Sequence, residues 1–341
     1  MEVDDFVFDL PEELIAQKPA ERRDESRLLV MNKSSGEIID HTLFKNLKKH
    51  LKPGDRLVLN DSKVIPARLY GDKKSSGIEI EVLLLNEKEE DRWEVLVNPG
   101  RRVKTGTVID FDGEIEAECL DSTDFGGRIM EFRPAGELRE KLDDIGEMPL
   151  PPYIERKPED PRRYQTIYAS EEGSVAAPTA GLHFTERLLE ELKDYGIDMS
   201  FLTLHVGLGT FRPVRTEEVE DHDMHAEYYE LPQSTSRAIK KTRESGNRVV
   251  AVGTTVTRTL EGAAPAVKAG EADQGWTDLF IYPGYEFKII DSLITNFHLP
   301  RSTLLMLVSA LAGRENILSA YGEAVEREYR FYSFGDAMLI K

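Results

Sequence analysis

Three histidines, His183, His205 and His298, each stand at a corner built from glycine, proline and hydroxyl residues: "APTAGLHFT" (177–185), "LHVGLGTFRPV" (204–214) and "ITNFHLPRST" (294–303). Three such rings among seven histidines make a pattern. Imidazole titrates near neutral pH, so a cleft that must both take and give a proton is built from groups of this kind. The plain alternative for each ring is a histidine filling the corner beside a capped helix, as Thr185 would cap "ERLLEEL". Two further stretches share the design: "NDSKVIPARL" (60–69), with Asp61, and "VGTTVTRTLE" (252–261), with Arg258 in place of the histidine. Small residues at a corner let a ligand approach the backbone. A helix N-terminus just after it presents unpaired N–H groups that suit an anion. Thr254, Thr255 and Arg258 are therefore candidates to hold a carboxylate or phosphate; the alternative is that Thr254 or Thr255 simply caps the helix.

Other signals are weaker. His222 and His225 form an H-x-x-H pair in "EDHDMHAE", but the spacing is not that of H-E-x-x-H and no cysteine assists, so a metal is not expected. "GLGTFR" fails as a dinucleotide fingerprint because Arg212 and Pro213 follow Gly207 and Gly209 where a third glycine would open a helix. Neither a Walker A stretch nor a Gly-x-Ser-x-Gly elbow occurs. The dense basic patches are Lys45, Lys48, Lys49 and Lys52, at i, i+3, i+4 and i+7, and the turn Arg101, Arg102 and Lys104; such a stripe alone is usually a solvated face.

The elements that must position these corners follow from periodicity. "SRLLVM" and "DRLVLN" read as short buried strands. Phe44, Leu47 and Leu51 recur at helical spacing before Pro53-Gly54. From about Leu69 the period becomes two, with Ile78, Ile80, Val82 and Leu84, then Ile115, Ala117 and Cys119, and turn chemistry at Asp112-Gly113 and Gly126-Gly127. That predicts a small antiparallel barrel or sandwich, ending at the proline-rich "EMPLPPYIERKPEDP". Strands and helices then alternate again: "NRVVAVGTT" into "VTRTLEG", a strand pair "DLFIY" and "EFKII" about Pro283-Gly284, and a helix "RSTLLMLVSALAG" capped by Ser302 or Thr303 and stopped by Gly313. The expected fold is α/β, with a large domain from both ends of the chain (1–67 and 151–341) and an inserted small antiparallel β-barrel (68–150).

Composition bounds the rest. The 341 residues hold 44 Lys and Arg against 63 Asp and Glu, a net charge of −19. That argues against a broad nucleic-acid footprint, which needs basic groups to displace counterions. The single cysteine, Cys119, excludes intrachain disulfides and cysteine zinc sites and suits a reducing cytoplasm. "MEVDDFVFDL" is acidic, unlike a signal peptide, and the apolar run 304–312 is too short to span a bilayer.

Taken together, "NDSKVIPARL", "APTAGLHFT", "LHVGLGTFRPV", "MHAE", "VGTTVTRTLE", "TDLFIYPGYEFKIIDSLITNFHLPRSTLLMLVSALAG" and "YRFYSFGDAML" closely resemble the S-adenosylmethionine:tRNA ribosyltransferase-isomerase family of queuosine biosynthesis. The likeness runs from "DFVFDLPEELIAQ" to the last residues, with small departures at Val256-Thr257 and Ser62-Lys63. It implies a monomeric cytoplasmic enzyme that uses S-adenosylmethionine as co-substrate and no metal. Such an enzyme transfers and isomerises the ribosyl group onto 7-aminomethyl-7-deazaguanine at the wobble position of a tRNA. The product is epoxyqueuosine, with adenine and methionine released.

Under that resemblance His183, His205, His298 and Asp61 become candidates for the proton transfers, His183 facing the ribosyl group. Asp61 and Asp278 are candidates for the ribose hydroxyls or sulfonium, and Arg212, Arg258 and Arg301 for the methionine carboxylate or phosphates. Asn60, Arg68, Thr179, Gly181, Gly207, Gly209, Thr254, Thr255 and Asn296 complete the binding set. The two basic patches become a small tRNA footprint, sufficient because a wobble base is already unpaired. The competing expectations are a methyltransferase acting on RNA, which lacks a glycine-rich loop to support it, and a non-catalytic tRNA-binding adaptor, which leaves the histidine corners unexplained.

Overall fold

A computed structural model describes residues 1–123, 126–151, 153–154, 160–207, 214 and 216–341. It divides into two compact units, one of residues 1–63, 152–171 and 177–341 and the other of 64–151 with 172–176.

The larger unit is α/β. Among its described residues one sheet holds nine strands, in spatial order Asp273–Thr277, Glu227–Leu231, Asp198–Leu204, Arg56–Asn60, Val249–Val252, Ser292–Asn296, Ala337–Ile340, Arg27–Met31 and Ile38–Leu43. Its centre is parallel: Leu202 pairs with Asn60, Ala251 with Val58 and Val252 with Ile294. The central strands are buried along their whole length, which explains why they read as continuous apolar runs rather than alternating ones. Four parallel strands thus end together, at Leu204, Asn60, Val252 and Asn296. The carboxyl edge of such a sheet is where α/β proteins bind ligands.

On one face, Phe44, Leu47, Phe184, Leu188 and Leu192 pack against Leu57, Leu59, Val250 and Val252. Helix Glu186–Asp194 supplies the last two of the first group; it starts where Thr185 accepts a bond from the Leu188 N–H (3.1 Å). Ser302 does the same for helix Thr303–Ala312, capping the Leu305 N–H (3.1 Å), and Gly313 ends that helix at φ 86°.

Two local expectations change. Residues Phe44–His50 form a 3-10 helix. At three residues per turn it is Phe44, Leu47 and His50 that align inward, with Leu51 buried just after in extended backbone. Lys45, Lys48, Lys49 and Lys52 stay exposed. "DLFIY" and "EFKII" form no strand pair. Instead the buried Glu261 carboxylate accepts the N–H groups of Lys288 (2.7 Å), Ile289 (3.0 Å) and Ile290 (3.0 Å). A side chain satisfies donors that a neighbouring strand would otherwise have taken.

The smaller unit is a closed antiparallel barrel of six strands. Arg68–Lys73, Ile78–Glu89, Arg92–Asn98, Arg128–Arg133, Ile115–Ser122 and Val108–Phe111 pair in turn, and Asp72 opposite Asp110 closes the ring. Its inward residues, including Ile80, Val82, Trp93, Val95, Ile109, Ala117, Met130 and Phe132, are buried, as the period of two requires. Closure pairs each of the six barrel strands on both sides, and the short strand Gly146–Glu147 adds onto Arg68–Lys73. Asp112 and Gly113, both at positive φ, turn the chain within the three-residue connection 112–114 between Phe111 and Ile115.

Candidate active site

A cleft opens in the larger unit at the carboxyl edge of the parallel strands, the edge at which α/β sheets bind ligands. Three of the sequence corners line it: Ala177–Ala180, Gly253–Thr255 and Thr295–Leu299, with Val206, Ser302, Leu304, Tyr153, Tyr332 and Ser333. Each corner follows a strand end or, for 177–180, forms the start of the short helix Thr179–His183, which packs on Ser292–Asn296.

Asn296 is the hub. Its Oδ1 accepts from Thr179 Oγ1 (3.1 Å), while its Nδ2 donates to the Tyr332 carbonyl (3.1 Å) and to His183 Nε2 (3.1 Å). A carbonyl can only accept, so the amide orientation is fixed by its partners. His183 Nε2 must then be the acceptor, and the ring proton sits on Nδ1, pointing at Ser26 Oγ (2.6 Å), which passes a bond on to the Arg23 carbonyl (3.1 Å). The ring also stacks on Phe44 (centroids 5.0 Å apart). Burial pulls the His183 pKa down to about 4 against a smaller opposing pull from Asp336. His183 therefore lies behind Asn296; it borders a smaller recess of about 250 Å³ with Arg23 and Arg163.

His298 lines the cleft itself. Its Nε2 is 2.8 Å from Thr295 Oγ1, its N–H donates to Tyr321 Oη (3.0 Å), and burial brings its pKa to about 3. Both buried imidazoles are neutral at pH 7. Tyr153 Oη meets Ser333 Oγ (2.5 Å), and burial raises its pKa, so it keeps its proton. Tyr332 holds φ 71°, a conformation that strains a bulky residue and clusters at functional sites.

His205 is not among the residues lining the cleft; it stacks on Tyr228 (6.2 Å) and its N–H bonds the Tyr228 carbonyl (2.9 Å). Asp61 is likewise off the wall. Burial raises its pKa, against the bond from Thr203 Oγ1 (2.7 Å). Asn60 ties strand ends together, donating to the Leu204 carbonyl (2.9 Å) and Thr255 Oγ1 (3.3 Å). Gly181 makes room for Tyr168, whose Oη would lie 2.1 Å from an added Cβ; the bulk missing from this corner serves packing.

Arg258 is buried and ion-paired with Glu227, and also bonds the carbonyls of Leu279 (3.0 Å) and Thr277 (3.1 Å). Burial alone would raise the Glu227 pKa, but Arg258, His225 and the Gly207 N–H (2.9 Å) bring it to about 2. Arg301 pairs with Asp4 (2.9 Å) and Asp278 is exposed. Arg68, in the smaller unit, pairs with Glu81 (3.3 Å). Arg101, Arg102 and Lys104 are exposed on that unit. Gly209 and Arg212 lie outside the described residues. Among those residues no cluster of metal-binding side chains occurs, and no helix is long and apolar enough to cross a membrane.

Sequence reasoning missed Tyr153, Tyr332 and Ser333. The last two sit inside the quoted "YRFYSFGDAML", whose aromatic density is the available signal, whereas Tyr153 lies in the proline-rich stretch that marks the end of the barrel.

Comparison with known proteins bears on the whole chain. A sequence profile of the family described as queuosine biosynthesis protein matches residues 3–340. The S-adenosylmethionine:tRNA ribosyltransferase-isomerase of Halothermothrix orenii is 61% identical over 341 residues, covering 100% of both chains. That of Staphylococcus haemolyticus is 56% identical over the same length, again 100% of each. A crystal structure of S-adenosylmethionine tRNA ribosyltransferase from Thermotoga maritima aligns with a TM-score of 0.56 at 43% identity, covering 99% of this chain and 100% of that one.

Proposed function

Because the chain belongs to the queuosine biosynthesis protein family, we infer that it acts as an S-adenosylmethionine:tRNA ribosyltransferase-isomerase. It is a transferase whose substrates are S-adenosylmethionine and a tRNA. The finer reading we propose is that the accepting base is 7-aminomethyl-7-deazaguanine at the wobble position, that the product is epoxyqueuosine, and that the enzyme works as a cytoplasmic monomer.

The observation that carries the site assignment is positional: the His298 imidazole lies on the wall of a mostly apolar cleft, beside Thr295. The sulfonium acidifies the neighbouring ribose C–H, so the reaction needs a proton acceptor there and a proton donor for the departing adenine. An unprotonated His298 serves as acceptor. The donor we propose is the Tyr153 hydroxyl, which lines the same cleft and meets Ser333 Oγ at 2.5 Å. His183 acts through Asn296, holding the amide so that its Oδ1 and the Thr179 hydroxyl present a fixed pair to the ligand. His205 and Asp61 support the strand ends beside the cleft. The exposed lysines 45, 48, 49 and 52, with Arg101, Arg102 and Lys104, offer the tRNA contacts.

The test is mass spectrometry of aminomethyl-deazaguanine tRNA after incubation with the protein and S-adenosylmethionine. A ribosyl-derived mass gain with release of adenine and methionine supports the reading. Adenosylhomocysteine would mean methyl transfer, and tRNA binding with no turnover would mean an adaptor.

A further inference from the structure

The amino-acid half of S-adenosylmethionine carries a carboxylate, yet no charged side chain lines the cleft among the described residues. Arg258 is committed to Glu227 and Arg301 to Asp4, and His298 is neutral. Among the described residues, what remains positive at the cleft is backbone. Helix Thr254–Gly262 begins on the cleft wall, and its N-cap is Gly253 at φ 95°, with no side-chain cap. The threonine cap that stood as the alternative to anion binding is not made, so the first-turn N–H groups keep their partial charge and lack the partner that Ser, Thr or Asp would have supplied.

A second observation points the same way. Thr254 is only 8% exposed, lines the cleft, and makes no side-chain hydrogen bond among the described residues. That hydroxyl, on a side chain more than nine-tenths buried at the cleft wall, has no protein partner among the described residues and is free to bond a ligand oxygen. The neighbouring helix Thr303–Ala312 also starts at the cleft, but there Ser302 already caps the Leu305 N–H. The open anion position is therefore at Thr254.

Building on the activity inferred above, we propose that the uncapped turn Gly253–Thr254–Thr255 binds the carboxylate of the methionine moiety, using backbone N–H groups and the Thr254 hydroxyl in place of an arginine. The surrounding wall, with Ala177, Pro178, Ala180, Val206, Leu299 and Leu304, suits a thioether chain. A tRNA phosphate would call for a basic groove tracking the backbone.

The experiment is calorimetric binding of S-adenosylmethionine and of its decarboxylated analogue to the full chain. The unaltered protein is expected to prefer the carboxylate form by about tenfold or more, the scale of a charge-assisted hydrogen bond. Thr254→Asp, which sets a carboxylate in the same place, should abolish that preference. Thr254→Val should weaken S-adenosylmethionine several-fold and leave the analogue unchanged. Thermal melting checks that both variants fold, and the comparison on the unaltered protein needs no variant. Equal affinity for the two ligands, or a preference that survives Thr254→Asp, overturns the assignment. Loss of tRNA affinity in Thr254→Asp with S-adenosylmethionine unaffected would show a phosphate site and overturn it too. Binding of neither sulfonium ligand would overturn the inferred activity, and this subsite with it.

Discussion

Asn296 Nδ2 lies 3.1 Å from His183 Nε2, and on this bond we propose that His183 holds Asn296 in place rather than moving protons. With Nε2 accepting from Asn296 and Nδ1 donating to Ser26 (2.6 Å), neither nitrogen is left for the ligand. His183→Phe keeps the stacking on Phe44 but releases Asn296 and Ser26. It should destabilise the fold by about 2 kcal/mol and raise KM for S-adenosylmethionine more than it lowers kcat. The pH–rate profile should keep its shape. A shifted or vanished limb of that profile would restore His183 to the proton-transfer role.

Acid should destabilise the protein earlier than carboxylates alone would allow. His183, at about 4, and His298, at about 3, are held below the ordinary 6.5 by burial. Between 6.5 and those values the unfolded chain binds protons that the folded chain refuses, so stability is complete above pH 6.5 and is lost as pH falls. Each ring contributes up to about 1.4 kcal/mol per pH unit, about 2.7 for the pair. His50 and His222, also lowered by burial, add in the same direction. Glu227, at about 2, stays ionised throughout. Urea unfolding at pH 7, 6 and 5 measures the slope, and His183→Phe should reduce it; a flat profile refutes the prediction.

At Gly181 the space is already filled. Gly181→Ala sets a methyl 2.1 Å from Tyr168 Oη and 2.8 Å from Thr166 Cγ2, an overpacking on the order of 1–3 kcal/mol. Tyr168→Phe in the same chain removes the closest atom and should recover part of the loss. Additive melting-temperature changes in the double variant would show that the two residues do not compete for that space.

The Glu227–Arg258 pair should behave as structure. Glu227→Gln leaves a guanidinium buried and is expected to cost about 3–5 kcal/mol. Arg258→Lys should not spare the fold, because an ammonium cannot also reach the Leu279 and Thr277 carbonyls in the guanidinium's geometry. At a temperature where both variants remain folded, affinity for S-adenosylmethionine should change by less than about threefold. A much larger loss with normal stability would make Arg258 a ligand contact.

Lys45, Lys48, Lys49 and Lys52 should govern tRNA affinity alone. The slope of log Kd against log salt should be roughly 5 or less, as seven phosphate contacts on a single strand, these four lysines with Arg101, Arg102 and Lys104, imply. Lys45→Glu with Lys48→Glu should reduce that slope and leave S-adenosylmethionine binding intact. A slope near 7 would require a wider basic surface than this acidic chain provides.

Local chemistry was written plainly in the sequence. The period change near Leu69 announced the barrel, because alternation is what a closed, half-buried strand requires. Continuous apolar runs at 56–60 and 249–252 announced strands buried on both faces. Thr185 and Ser302 announced their helices because a cap acts within three residues. The corners at 177–180, 253–255 and 295–299 were legible as places where a ligand could approach.

Tertiary structure alone decided what each residue at those corners does. Nothing local says that Tyr168 fills the space above Gly181, that Glu261 takes the N–H groups of Lys288, Ile289 and Ile290, or that Glu227 claims Arg258 across 31 residues. Nor does spacing reveal that His183 sits behind Asn296 while His298 meets the cleft. A ring's role depends on which partners saturate its two nitrogens and on how much water reaches it. Those are set by segments more than a hundred residues apart that parallel strand pairing brings to one edge.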